Sequence, residues 1–305
     1  TRGAGFHPAP LYDNIMTENR NMAIAYDFDG TLAPGNMQEH NFIPDLHMDK
    51  GEFWSEANAL AKKHDMDEVL AYMHLMLIKA KEKNISLREE TFMQYGSRIT
   101  FFEGVESYFE RINQYAARQG MHLEHFIISS GLREFVKGSA IAKHFRTIFA
   151  SGFQYDDNGN ACWPALAVNY TNKTQFLFRI NKGIYNSYDN SKINKSMAED
   201  DRAVPFSNLI YIGDGETDVP AMKMVNLYGG TTIAVYNPDS VATPHRPKSS
   251  KEICLDLIRQ NRADYIAPTN YSEGGELDVM LKKIIDKTAL EQDILGIKYK
   301  EVNRE

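Results

Sequence analysis

The stretch Ala23-Ile-Ala-Tyr-Asp-Phe-Asp-Gly-Thr-Leu-Ala33 is an apolar run that leads directly into two aspartates and a glycine. Asp27 and Asp29 lie two positions apart, where mutual repulsion and loss of water both disfavour two negative charges. A chain can retain such a pair at the end of a buried segment when a nearby group compensates the charge. The stretch therefore predicts a strand that ends in a functional site.

Five short apolar runs predict the strands of a mostly parallel sheet, because each has the length of a strand and is bounded by turn residues or helix-like segments. They are Met22–Tyr26, Glu124–Ile128, Thr147–Ala150, Asn208–Ile212 and Thr232–Val235. Small polar or acidic residues follow three of them, at 27–30, 129–131 and 213–218. Because ligands of an open α/β sheet bind at the carboxyl ends of its strands, these residues predict one site.

The connection between the first two strands is about a hundred residues long, far more than a crossover helix requires. Residues 52–97 carry apolar side chains at helical spacing, for example at Phe53, Ala57 and Ala61. We expect an inserted helical segment whose methionine and aromatic side chains pack in its core. Elsewhere, the pattern predicts a helix over 104–117, an exposed excursion over 181–202 and an amphipathic helix near 277–285.

The acidic residues at the strand ends suit a hard divalent cation. Mg²⁺ prefers oxygen ligands, takes one or two carboxylates from the protein and leaves positions for water and a substrate phosphate. Asp27, Asp214 and Asp218 could hold it, and a bend at Gly30 would turn Asp29 toward the same crevice. One carboxylate could then attack phosphorus while the second exchanges protons with the leaving oxygen and with water.

The acidic clusters have two simpler interpretations, an EF-hand calcium loop and a solvated turn. An EF-hand calcium loop requires a third oxygen ligand and then glycine, whereas Thr31 and Leu32 follow the first cluster and Val219 follows the second. A solvated turn would account for either cluster alone. It accounts less well for two clusters that each follow a buried strand.

These residues also carry a family resemblance. The stretch D-F-D-G-T-L-A resembles the first motif of the haloacid dehalogenase superfamily of phosphohydrolases, and G-D-G-E-T-D-V-P-A-M at 213–222 resembles its fourth. The stretch F-I-I-S-S-G at 126–131 is similar to the second motif. Lys173 is the candidate for the single lysine of the third motif, with Lys182 as the alternative. The resemblance extends from about Met22 to Leu290.

The resemblance implies an α/β fold, a Rossmann-like doubly wound parallel sheet over 1–35 and 101–305, with an inserted helical cap at 36–100 that acts as a mobile lid. It implies that Asp27 is the nucleophile and Asp29 the general acid and base. Mg²⁺ would be held by Asp27, the backbone carbonyl of Asp29 and Asp214, with Asp218 in support. The other substrate contacts would come from Ser129, Lys173, Thr31, Ser130, Gly131 and Arg98.

Within the superfamily the chain is most similar to the phosphoserine phosphatase-like branch. Ser97-Arg-Ile-Thr-Phe-Phe-Glu-Gly104 resembles the segment where that branch places a cap arginine for the substrate carboxylate, which makes Arg98 the candidate. A surface arginine on a cap helix is the alternative. Where the branch has an acidic residue for the substrate amine, this chain has Asn36. We therefore do not name phosphoserine as the substrate.

The predicted activity is magnesium-dependent hydrolysis of a small-molecule phosphate monoester through an aspartyl-phosphate. A phosphotransferase or phosphomutase would use the same intermediate, and product analysis separates the two. A non-catalytic phosphate-binding regulatory protein of the same fold is disfavoured because all the groups needed for turnover are present. A dehalogenase would not need the second aspartate or the acids that bind magnesium.

Composition and charge argue against several other classes of protein. With 34 basic and 41 acidic residues, the net charge of −7 lacks the electrostatic footprint of a nucleic-acid or membrane-binding protein. The small basic run at 245–251 is expected to be an exposed loop, with an anion-binding patch as the alternative. The two cysteines, Cys162 and Cys254, form no disulfide framework or zinc motif. The chain shows neither a signal-like segment nor a run of about 18 apolar residues, so we expect a cytoplasmic protein; its oligomeric state is not predicted.

Overall fold

The central element of the computed structural model, which describes residues 20–243 and 246–302, is a seven-stranded sheet. Its strands are β1 (Asn21–Tyr26), β2 (His122–Leu132), β3 (Phe145–Tyr155), β4 (Ala161–Leu166), β5 (Leu209–Gly213), β6 (Thr231–Tyr236) and β7 (Tyr265–Pro268). They lie in the order β4-β3-β2-β1-β5-β6-β7. All neighbouring pairs are parallel except β3 and β4, which form an antiparallel pair at one edge. The predicted parallel α/β sheet is confirmed.

All five predicted strands are present, but the sequence patterns did not predict the two edge strands. β4 contains Pro164, which cannot donate to a ladder and argues against a strand, and it leaves Trp163 66% exposed. β7 is only four residues long. Such short or interrupted edge strands lack the buried apolar run on which the prediction relied.

Six helices flank the sheet. They are α6 (Val105–Arg118), α7 (Arg133–Gly138), α8 (Lys173–Lys182), α9 (Val219–Leu227), α10 (Ser250–Arg259) and α11 (Glu276–Val302). The side chains of β1 alternate between two cores, with Met22, Ile24 and Tyr26 in one and Ala23 and Ala25 in the other. The first core also contains residues of α6 and α11, and the second contains residues of α8, α9 and α10. Both faces of the sheet are therefore covered, as in a doubly wound fold.

Five helices fill the long connection between β1 and α6. They are α1 (Met37–His40), α2 (Phe42–Asp45), α3 (Lys50–His64), α4 (Glu68–Glu82) and α5 (Glu89–Gly96). The two longest begin at aspartates whose side chains accept hydrogen bonds from the first free backbone amides, Asp49 for α3 and Asp67 for α4. The expected helices of this segment are thus present.

The last inserted helix, α5, crosses α7 at very short range. A Cβ atom at Gly96 would lie 1.9 Å from the Phe135 carbonyl oxygen, and one at Gly138 would lie 1.9 Å from the Met93 carbonyl oxygen. The backbones of α5 and α7 therefore touch, which only glycine permits at these positions. This end of the inserted segment is packed against the main sheet unit.

The polar segment after α8 contains no strand or α-helix between 184 and 198, as expected of an exposed excursion. Buried Arg179 organises it by donating hydrogen bonds to the backbone carbonyls of Asn186 and Asp189. Among residues 20–243 and 246–302, no helix is both long enough and apolar enough to span a bilayer.

Candidate active site

The register of three neighbouring strands brings the polar strand ends together. Tyr26, the last residue of β1, is paired with Ile127 of β2 and with Ile212 of β5. The amide of Asp27 extends the ladder by donating to the Ile212 carbonyl at 2.9 Å. Asp27 therefore lies level with the ends of β2 and β5, which carry Ser129 and Asp214.

Asp27 is 7% exposed and is held from two sides. Its Oδ1 accepts a 2.8 Å hydrogen bond from the amide of Phe28, and its Oδ2 lies 3.0 Å from the Nζ of Lys173. Burial raises the pKa of the Asp27 carboxyl to about 6, with Lys173 lowering it and Asp218 raising it. The residue is thus a partly desolvated, oriented carboxylate with one exposed edge.

Lys173 is the first residue of α8 and is fully buried. Its Nζ lies 2.8 Å from Asp218 Oδ1 in addition to its contact with Asp27. Burial lowers the pKa of Lys173, but the two carboxylates more than offset this and hold its pKa above the usual value. Lys182 instead donates to the backbone carbonyls of Ile193 and Lys195. The structure therefore brings Lys173, and not Lys182, to the acidic cluster.

Asp218 lies behind the other acids and is fully buried. Its Oδ1 accepts from Lys173 and from the Tyr211 hydroxyl at 2.6 Å, and its Oδ2 accepts from the Asp214 amide at 3.0 Å. Both oxygens thus already have donors. Asp218 is arranged to orient Lys173 and the backbone of Asp214.

Asp27, Asp214 and Asp218 each offer a carboxylate oxygen within 4.8 Å of the others. Burial, followed by Asp218 and Asp27, raises the pKa of Asp214 well above its usual value. Gly30 has a φ of +75°, and a Cβ there would lie 2.2 Å from Asp214 Oδ2, so glycine allows the first and fourth motifs to meet. Converging hard oxygen donors of this kind fit a divalent cation. Asp27 and Asp214 line the cleft, whereas Asp218 is fully buried and accepts from three donors, so Asp27 and Asp214 are the better ligands.

Asp29 is separate from this group of three carboxylates. Its Oδ1 accepts a 2.8 Å hydrogen bond from the amide of Met37, the first residue of α1. Burial, and then the charge of Asp27, raises the pKa of Asp29 well above its usual value. A carboxyl group whose pKa is raised by burial and by a neighbouring carboxylate is suited to donate a proton.

Ser129, Ser130 and Gly131 form the part of the site that β2 contributes. The Ser129 hydroxyl accepts from the Gly131 amide at 3.0 Å, so its own proton remains available to a ligand. The Ser130 carbonyl accepts a 2.6 Å hydrogen bond from the Tyr72 hydroxyl of α4. The inserted helices thus contact this turn directly.

Asp27, Asp29, Asp214 and the turn at 129–131 line a cleft of about 740 Å³, and Lys173 and Asp218 lie buried behind its wall. Sequence reasoning missed much of its wall, namely Trp54, Asn58, Glu68, Tyr72, Tyr170, Asn237, Ser240, Arg246 and Ser250. The cleft residues on α3 and α4 could not be predicted because their helical spacing is the same as that of core residues. Arg246, however, follows β6, and the strand-end rule used for β1 and β5 applies equally to this loop. The basic run is expected from the sequence to be an exposed loop, with an anion-binding patch as the alternative; Arg246 is exposed, and it lies on the cleft wall.

Two predicted substrate contacts are not in the cleft wall. Thr31, the threonine of the first motif, is fully buried, and its carbonyl accepts from the Tyr271 hydroxyl. Arg98 is exposed and follows α5, which the close crossing with α7 holds in place. Neither residue is among those that line the cleft. Asn36 does line it, and its side-chain amide donates to Glu39 at 2.8 Å.

Comparison with known proteins agrees with this architecture. A family model described as haloacid dehalogenase-like hydrolase matches residues 24–223, well over half of the chain. An uncharacterized curated protein of Borreliella burgdorferi is 29% identical over 290 residues, and the match covers 86% of this chain and 96% of the relative.

Two solved structures have a similar fold. One is a HAD family hydrolase from Salmonella enterica serovar Typhi, with 16% identity, a TM-score of 0.51 and coverage of 87% of this chain and 71% of that one. The other is a probable phosphoserine phosphatase from Vibrio cholerae, with 14% identity, a TM-score of 0.50 and coverage of 90% and 67%. At these sequence identities, the similarity to the two structures shows a shared fold and nothing more.

Proposed function

Because the chain belongs to the haloacid dehalogenase-like hydrolase family, we propose that it is a magnesium-dependent phosphatase that hydrolyses a small-molecule phosphate monoester through an aspartyl-phosphate on Asp27. The observation that carries the proposal is the position of Asp27, oriented by the Phe28 amide and paired with buried Lys173. An ionised carboxylate that lines a cleft can act as a nucleophile, and a fixed lysine beside it can stabilise the charge of the phosphoryl group.

The protein groups divide the reaction into two displacements. In the first, a carboxylate oxygen of Asp27 bonds to phosphorus, the ester P–O bond breaks, and Asp29 gives its proton to the leaving oxygen. In the second, Asp29 takes a proton from water, whose oxygen bonds to phosphorus and releases inorganic phosphate and the free Asp27 carboxylate. The Ser129 hydroxyl and the Lys173 ammonium would hold the phosphoryl oxygens. Mg²⁺ bound by Asp27, Asp214 and the carbonyl of Asp29 would reduce the repulsion between the phosphate and the carboxylates.

We infer further that residues 36–100 act as a cap over the cleft. Trp54 and Tyr72 of this segment line the cleft, and Asp67 and Glu68 at the start of α4 accept hydrogen bonds from Asn169 and Tyr170. These two hydrogen bonds join the segment to the loop that leads into α8. If these two hydrogen bonds break, the segment could move away from the cleft and admit the substrate, while the contact between α5 and α7 stays in place.

Metal dependence is the direct test of the proposed function. With a panel of phosphate esters, we expect release of inorganic phosphate that requires Mg²⁺, is lost with chelator and is inhibited by Ca²⁺, whose looser coordination misplaces the nucleophile. Asp214→Ala should raise the Mg²⁺ requirement strongly. Glu216→Ala, an exposed acid in the same loop, is the matched control and should not. Turnover that is indifferent to chelator would contradict the proposal, and transfer of phosphate to an added alcohol instead of water would indicate a phosphotransferase.

The role of Asp29 is tested by changing the leaving group. Asp29→Asn keeps the acceptor for the Met37 amide but cannot donate a carboxyl proton. In single-turnover experiments we expect the first step to fall by about 10²- to 10⁴-fold for an alkyl phosphate. The loss for p-nitrophenyl phosphate should be much smaller, because its oxygen leaves without a proton. Equal losses for both esters would mean that Asp29 has only a structural role.

A further inference from the structure

We propose that Arg246 binds a second anionic group of the substrate, so that the preferred substrates are phosphate monoesters with a carboxylate or a second phosphate remote from the reacting phosphoryl group. This inference rests on the proposed function of the same cleft and narrows its substrate class.

The first support is the position of Arg246. It lies in the connection between β6 and α10 and lines the same cleft as Asp27. No ion pair within 4.0 Å joins Arg246 to Asp27, although both residues line the cleft. A small molecule that reacts at Asp27 would therefore meet Arg246 with a second group.

The second support is the state of the guanidinium group. No carboxylate oxygen of the described residues lies within 4.0 Å of it, so it does not neutralise Asp27, Asp29 or Asp214. Among the described residues, its guanidinium donates a side-chain hydrogen bond to the hydroxyl of Ser240. A guanidinium group has five N–H donors, and most of these have no partner among the described residues and could bind a ligand.

The two lysines of the same basic run already have partners within the protein. Lys248 pairs with Asp256 at 2.6 Å, and Lys251 lies over the ring of Tyr236 at 5.2 Å. Among the described residues that line the cleft, Arg246 is the one with a basic side chain. Lys173 is buried behind this wall and pairs with Asp27 and Asp218, so among the described residues Arg246 is the cation that the wall itself presents to an anion.

The third support is the backbone that carries Arg246. Its amide donates to the Thr243 carbonyl at 3.0 Å, and its carbonyl accepts from the Thr243 amide at 2.7 Å. Ser240 in turn accepts from the amide of Ser250, at the start of α10. Arg246 therefore lies in a hydrogen-bonded turn, and its guanidinium is joined through Ser240 to the start of α10, which reduces the ordering needed when an anion binds.

The test compares esters that differ only at the far end. The series is butyl phosphate, 4-phosphooxybutanoate and butane-1,4-diol bisphosphate, with six-carbon homologues to vary the span. For the wild-type protein we expect kcat/KM to be roughly 10- to 100-fold higher for the esters with an anionic end, the usual effect of a hydrogen bond between charged groups. Whether the carboxylate or the bisphosphate series is preferred distinguishes the two kinds of anion.

Arg246→Ala should reduce this preference to less than about threefold, and Arg246→Lys should retain part of it because lysine keeps the charge without the planar fork. Lys248→Ala, which removes a cation of the same run that pairs with Asp256 and does not line the cleft, is the matched control and should leave the preference unchanged. If Arg246→Ala lowers kcat/KM equally for all three esters, or leaves the preference intact, the inference is wrong.

A binding measurement separates this inference from the proposed function. Calorimetric titration with butylphosphonate and with 4-phosphonobutanoate, which cannot be hydrolysed, reports recognition without turnover. Tighter binding of the carboxylate that is lost in Arg246→Ala supports the inference even if no ester is hydrolysed. Equal binding of both phosphonates to the wild-type protein overturns it.

Discussion

Asp27→Asn is expected to lower kcat by on the order of 10⁴-fold or more while the protein remains folded. An amide is a poor nucleophile toward phosphorus and a weaker ligand for a hard cation than a carboxylate. The fold should persist because Lys173 keeps its 2.8 Å contact with Asp218 and the amide side chain can still accept from Phe28. Steady-state kinetics and a thermal melt measure the two effects.

Labelling of the intermediate makes this prediction specific. Acid quench of the wild-type protein with a ³²P-labelled ester should place the label on Asp27 alone, and the variant should take up none. Asp157→Asn, at an exposed acid, is the control and should behave like the wild-type protein. Label on another residue would show that Asp27 is not the nucleophile. Mass spectrometry of the variant excludes deamidation back to aspartate as a source of activity.

Lys173→Met is expected to impair both stability and turnover. The Lys173 ammonium lies 3.0 Å from Asp27 and 2.8 Å from Asp218, with no solvent to replace it. Removing one partner of a buried ion pair leaves the other charge uncompensated and costs about 3–5 kcal/mol of the free energy of unfolding. Urea denaturation measures this loss, and turnover should fall to near background because the phosphoryl group loses its fixed cation.

The matched control is Lys182→Met on the same helix. Lys182 binds two backbone carbonyls away from the acids, so we expect a loss of about 1 kcal/mol and normal kcat/KM. Combining Lys173→Met with Asp218→Asn should recover part of the lost stability, because the unpaired charge is then removed. If Lys182→Met abolishes turnover and Lys173→Met does not, the assignment of the lysine is wrong.

The parallel sheet and the edge at which ligands bind were predictable from short segments of sequence. Residues 22–26 and 208–212 are largely apolar runs followed by an acid within two residues, and runs of this length and composition are typical of buried strands. The carboxyl ends of parallel strands meet at one edge of the sheet, so the sequence alone could place Asp27, Ser129 and Asp214 together. The edge strands β4 and β7 lacked that local signal and were missed.

Contacts between residues distant in sequence decided the rest of the site. Lys173 and Lys182 are both lysines of one helix, and only the packing of α8 on the sheet brings the first to Asp27 and leaves the second in the loop after it. The residues next to either lysine do not show which end of α8 faces the acids.

The sequence by itself determined the strands that carry the acids, the order of the motifs and the family, because the spacing of apolar residues and the acids that follow them are local properties. Only the tertiary structure decided which arginine lies in the cleft. Arg98 follows a helix that two glycines hold tightly against α7, whereas Arg246 follows the end of β6, beside β5. Both positions are set by close packing and strand register between segments far apart in the chain, and neither property can be read from the residues around the arginine.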